Sequence, residues 1–197
     1  MLGVILVTIT ANMFLFPFVL MVPVFARDVL HVGPALMGML AAADGFGAMI
    51  GAVYLASKGT INSPGKLFAY GTSAAILLLL VFSFSRIYGV SLALLFVSGL
   101  FIAGFGTMQS AITLLVTPAA MRGRAMGVVM MAIGASPVGI LLTGAVAEVW
   151  GASVAVAIDC GVALALMTGI LLGVPALRRM RASGDLAANT QPGTRTS

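Results

Sequence analysis

Asp44 is the residue whose type and position point most directly to chemistry. It stands in the run Leu40-Ala-Ala-Ala-Asp44-Gly-Phe46, inside a long stretch with no other charge. A carboxylate at the centre of a membrane helix costs roughly 2.5–3.5 kcal/mol on insertion scales. Loss of water favours the neutral form of a carboxyl, so a side chain there suits the uptake and release of a proton. The plainer alternative is an aspartate held neutral, or reached by water in a cleft. Asp159 is the second intramembrane carboxylate. Its sequence neighbours Ala157, Ile158, Cys160 and Gly161 offer no partner, and it is expected near a membrane surface. Cys160 is a small packing residue in this reading. Among uncharged groups, Asn12 stands near Thr8 and Thr10, and Gln109 near Thr107 and Ser110. Together with Phe14, Phe16 and Phe105 they would make a mixed wall for amphipathic compounds. Alternatively they only tie helices together. Asn12, Phe16 and Gln109 are the cavity candidates.

Proline and glycine mark where such helices bend. Pro17, Pro23 and Pro137 each remove a backbone donor and crowd the preceding turn. In Gly134-Ala-Ser-Pro137-Val-Gly139 the flanking glycines add bending freedom that would suit a moving helix. Proline is also common in membrane helices without such a role. Gly47-x-x-x-Gly51 and Gly169-x-x-x-Gly173 are small-residue spacings that allow close helix packing. Arg122-Gly123-Arg124 precedes a span and either orders a loop or only sets topology.

Other chemistries fail on residue count. His31 is the single histidine and has no cluster of ligands around it, so no metal is expected. One cysteine excludes a disulfide framework and thiol redox work. Ser136 lies in Gly-Ala-Ser-Pro rather than Gly-x-Ser-Gly, against an intramembrane protease. No phosphate-cradling glycine loop with Lys and Ser is present, and no cofactor is implied.

The elements that must hold these residues follow from composition. Of 197 residues, 61% are hydrophobic and 8% charged, and mean hydropathy is +1.17. Soluble domains carry about 25% charged residues, so the chain reads as an all-α integral membrane protein with the lipid bilayer as its solvent. A spanning helix needs about 20 apolar residues. Six candidates fit, at about 3–25, 35–57, 67–85, 91–116, 125–147 and 153–174. The residues 176–197 are basic and then polar, and are expected to be a disordered cytoplasmic tail. Net charge is +5, but the basic residues sit between apolar spans, so no nucleic-acid partner is expected. Cytoplasmic loops are enriched in Lys and Arg. Lys58, Lys66, Arg122, Arg124, Arg178, Arg179, Arg181 and Arg195 fall on one side, and only Arg27 and Arg86 on the other. Both termini are therefore expected in the cytoplasm. The first span begins at Leu2 without the basic flank of a signal peptide, which points to a chain that is part of something longer. Eight arginines against two lysines, with abundant Ala and Gly, resemble a GC-rich bacterial genome, hence a bacterial inner membrane.

Sliding the chain by 89 residues lays Met37-Gly38 on Met126-Gly127, Ala43 on Ala132 and Gly45 on Gly134. Three crossings separate the two copies, so they run in opposite senses, as in the inverted three-plus-three repeats of transporter halves. The stretch Pro118-Ala-Ala-Met-Arg122-Gly-Arg124-Ala-Met-Gly127, with Gly134-Ala-Ser-Pro137-Val-Gly139 and Gly144-Ala-Val-Ala-Glu148-Val-Trp-Gly151, resembles the eleventh span of major facilitator superfamily transporters. The likeness is greatest to the drug- and siderophore-exporter branch. It implies spans seven to twelve of a twelve-span, proton-driven exporter of small molecules. Spans one and four here would line the cavity, two and five would face an N-terminal six-span half, and three and six would face lipid. The loop Ser57–Lys66 is a degenerate echo of the superfamily's Gly/Asp/Arg-rich loop. The alternatives are a six-span protein working as a homodimer, a non-transporting partner, or an inactive fragment.

Overall fold

The computed structural model describes residues 2–58 and 64–173. The expectation of a disordered tail, and the middle of the loop between the second and third spans, lie outside them. Among the described residues there are helices and no strand, and six helical segments are long and apolar enough to cross a bilayer. In lipid no water satisfies backbone groups, so a helix that bonds itself internally is the form such a chain must take.

Span one is not a single α-helix. It comprises α1 (Leu2–Thr10), a wide π-helical turn (Ala11–Leu15) and α2 (Phe18–Asp28). The Phe16 amide reaches back five residues to the Ala11 carbonyl at 2.9 Å, and Pro17, lacking an amide hydrogen, follows at once. Pro23, by contrast, does not interrupt α2. Spans two, three and four are α3 (Pro34–Ser57), α4 (Pro64–Phe84) and α5 (Tyr88–Val116). Span five is divided into α6 (Arg122–Ile133) and α7 (Ser136–Trp150). Pro137 occupies the first turn of α7, where a missing amide hydrogen costs nothing. Span six is α8 (Ala152–Gly173). The turn from α7 into α8 needs Gly151, whose φ of 85° is open to glycine at little cost.

Packing follows the repeat. Span two lies on span four as span five lies on span one, and span three lies on four as six lies on one. Spans three and six meet across the pseudo-symmetric centre. Enclosure is uneven. In the most apolar window of spans one and three 50% is buried, against 22% in spans two and five. Span three, expected to be peripheral, is thus as enclosed within this bundle as span one.

The closest crossing is that of α3 on α5. A Cβ on Gly47 would run into the Phe96 carbonyl, and one on Gly99 into the carbonyl of Asp44. The spacing Gly47-x-x-x-Gly51 is therefore a packing device. Gly169 and Gly173 have nothing within 4 Å of a Cβ, so the same spacing in α8 brings no helix close.

Candidate functional site

Three polar junctions lie inside the bundle, each between two spans. The first holds Asp44. It is ten residues into α3, roughly 15 Å along the helix, which is about half the hydrocarbon thickness. The single hydroxyl hydrogen of Ser98 in α5 has two acceptors within reach, the Leu95 carbonyl at 2.8 Å and Asp44 Oδ1 at 3.3 Å. Asp44 is only half-buried, while Ser98 is fully buried. The absence of a side chain at Gly99 lets α5 rest on the Asp44 backbone carbonyl, so this residue stands at the close crossing of α3 and α5. An apolar groove of about 480 Å³ opens beside it, lined by Ala42, Ala43 and Phe46 of α3 and by Leu92 and Phe96 of α5.

The second junction brings Asn12 and Gln109 together through Thr8. Asn12 Nδ2 donates to the Thr8 carbonyl at 2.9 Å, and Gln109 Nε2 donates to the Thr8 hydroxyl at 3.0 Å. All three side chains are buried. Asn12 belongs to the wide turn of span one, so the local departure from α geometry and the polar contact coincide. Phe16 stands just beyond that turn, edge-on to Phe105 of α5 with ring centroids 5.6 Å apart. Phe105 in turn stacks on Phe68 of α4 at 5.3 Å. The cavity candidates thus sit on the spans expected for them, and in this bundle their polar atoms are engaged with one another.

The third junction could not be read from the sequence. Thr143 of α7 donates its hydroxyl to Asp159 Oδ2 of α8 at 2.5 Å. Asp159 is 8% exposed and Thr143 1%. Asp159 was expected to lack a partner, because its sequence neighbours are apolar. Its partner comes from the adjacent span, sixteen residues earlier. A turn at Gly151 lays α7 and α8 antiparallel, which aligns two residues almost equally far from it. That equal spacing is the one signal the sequence carried.

Of the bending candidates, Gly139 is buried and its missing side chain lets α7 rest on the backbone of Met13, inside the wide turn of span one. Pro17 and Pro137 flank these two interruptions, and Gly134 and Pro137 themselves are exposed. Two broken helices meet at their breaks. Arg122, Gly123 and Arg124 open α6 on an exposed face, and Arg124 lines a shallow apolar groove of about 350 Å³ with Ile5, Pro118 and Met121. Among the described residues the only ion pair is Arg27–Asp28, at 2.6 Å. No group of three His, Cys, Asp or Glu side chains there could hold a metal.

No curated protein and no solved structure matches the chain. A family profile does, over nearly its whole length. Residues 3–195 fit the profile described as transmembrane secretion effector, a transporter family of the major facilitator type. Six apolar helices in that arrangement and a match of that extent have one meaning: the chain is a multi-pass membrane protein that belongs to the transmembrane secretion effector family.

Proposed function

We propose that the chain is one six-span half of a secondary active transporter that exports small amphipathic compounds against proton entry, by alternating access in a bacterial inner membrane. The observation that carries this reading is the low enclosure of spans two and five, at 22% against 50% for spans one and three. Exposed side chains on α3, Met39, Phe46, Met49 and Val53, recur at helical spacing and form a continuous face. Leu40, Ala43, Gly47 and Gly51 turn inward on the opposite face. A second six-span bundle, or a second copy of the chain, would cover the two bare faces and create a cavity between bundles. Asp44 lies on one of those spans, at mid-membrane depth. There its charge is costly when dry and tolerable when water enters, which links protonation to conformation. Asn12 and Gln109, buried here and bonded through Thr8, would meet substrate with Phe16 only when spans one and four part towards the cavity, with Pro17, Gly134, Pro137 and Gly139 as the bending points.

The test is driven export in vesicles containing the complete two-bundle transporter. Asp44→Asn copies the protonated carboxyl at nearly equal volume, so abundance is retained. Proton-driven export is lost while ligand binding or downhill exchange persists. Asp159→Asn, whose side chain already has a local partner in Thr143, leaves driven export largely intact. Export by Asp44→Asn at the wild-type level would end the assignment of Asp44. Flux from this chain as a demonstrated monomer would end the half-transporter reading.

A further inference from the structure

Between α3, α4 and α5 a groove of about 470 Å³ runs from mid-membrane towards one end of the bundle. That is within the range of small-molecule sites, roughly 300–1,000 Å³. Its deep end is lined by Ile50, Gly71 and Val97, and its outer end by Tyr54, Leu67 and Gly104. The three helices alternate in direction, so these residues agree in depth. From Val97 to Gly104 the groove covers roughly 10 Å of helix. Gly71 and Gly104 leave room. A Cβ on Gly71 would meet only the Phe101 carbonyl at 3.7 Å, and one on Gly104 only the Leu67 and Leu55 side chains at 3.8 and 4.0 Å. Gly51 is different, since a Cβ there would press on the Leu100 carbonyl at 2.6 Å.

The mouth of this groove is basic and aromatic. Lys58 Nζ stands 5.2 Å from the centroid of the Tyr54 ring, which itself lines the groove. Lys66 immediately precedes the lining residue Leu67 and is exposed, as is Lys58. Neither lysine belongs to an ion pair among the described residues. A slot without charge thus ends at two cations that, among the described residues, have no anion paired with them. Free apolar compounds would leave the cations idle, and free phosphate would leave the slot empty. A molecule with an acyl chain and an anionic head satisfies both.

We propose that this groove holds one acyl chain of an anionic phospholipid whose phosphate is held by Lys58 and Lys66. The lipid joins the ends of α3 and α4 to α5 where, among the described residues, no side chain fills the space between them. The assignment is independent of transport and of Asp44, which lies deeper on α3.

The test is native mass spectrometry of the full chain released from nanodiscs holding equal phosphatidylglycerol and phosphatidylcholine with the same acyl chains. The wild type retains phosphatidylglycerol in preference, by roughly fivefold for each lysine engaged. The double variant Lys58→Gln/Lys66→Gln, changed only at exposed positions, loses that preference. Arg27→Gln, at the other end of the bundle, keeps it. Gly71→Leu fills the slot and lowers retention of both lipids, and Gly104→Leu does the same from another helix. Equal retention of the two lipids by the wild type would overturn the proposal. So would a preference that survives the double lysine variant, or a lipid-free dimer mass, which would mean that a second copy fills the groove.

Discussion

The hydroxyl of Thr143 is worth more than its small size suggests, because among the described residues it is the one side-chain donor aimed at the carboxyl of Asp159. Removing one partner of a buried hydrogen bond leaves the other desolvated, at a cost of roughly 1–3 kcal/mol. Thr143→Val keeps the shape of the side chain and deletes the donor. It should lower the thermal unfolding midpoint of the detergent-solubilised protein, whereas Thr143→Ser should not. A Thr143→Val protein as stable as the wild type would show that water reaches Asp159 and replaces the threonine. The Gln109–Thr8 bond is neutral at both ends, and interhelical bonds of that kind average about 0.6 kcal/mol in membranes. Its loss should therefore be felt less. Polar residues such as Asp44, Asn12 and Gln109 stand out in an apolar chain by type alone. Thr8 was legible only as a neighbour of Asn12, and Ser98 not at all, since serine and threonine also bond their own helix, as Thr72 does to the Phe68 carbonyl at 2.6 Å.

At the scale of the helices, tight approach and interruption divide the work. Spans two and four meet through glycine, with the Asp44 carbonyl resting where a side chain of residue 99 would be. Gly99→Ala must push backbone against backbone, and overpacking of this kind costs roughly 1–3 kcal/mol. Gly106→Ala, seven residues further along α5, meets nothing within 4 Å and should be neutral or stabilising by up to about 1 kcal/mol. Thermal unfolding of the two variants checks this. Equal midpoints would mean that α3 and α5 are not held at this distance. Spans one and five use the opposite device. Each is broken near its middle, and Gly139 seats α7 on the wide turn of span one. Pro137 and its glycines announced one break. The wide turn at Ala11–Leu15 is announced only by Pro17, because nothing in Ala-Asn-Met-Phe-Leu distinguishes a five-residue backbone bond from a four-residue one. Pro23 shows the reverse, a proline that α2 absorbs without breaking.

At the scale of the whole molecule, the division of charge between the two ends of the bundle makes a prediction of its own. A single cysteine at His31 or Ser153 in an otherwise cysteine-free chain should react with an impermeant maleimide added outside intact cells. One at Asn62 should not. The opposite pattern would reverse the topology drawn from the positions of lysine and arginine. Class, number of spans and the places where chains of apolar residues are cut by Pro, Gly and Arg were all legible in the sequence by itself. Hydropathy and loop charge are local properties, and a bilayer reads them locally. The sequence also singled out Asp44, because a lone carboxylate in hydrocarbon is costly wherever the helix points. Which face of each helix turns inward was not legible. A helix in lipid is apolar all round, so α3 and α8 carry no stripe that separates packing from exposure. Only the tertiary structure decided that Asp159 meets Thr143, that Gly47 and Gly99 pack while Gly169 does not, and that spans two and five are left bare. Those outcomes depend on the rotation and crossing of whole helices. Van der Waals fit between distant segments fixes that rotation, not the hydrophobicity of any one of them.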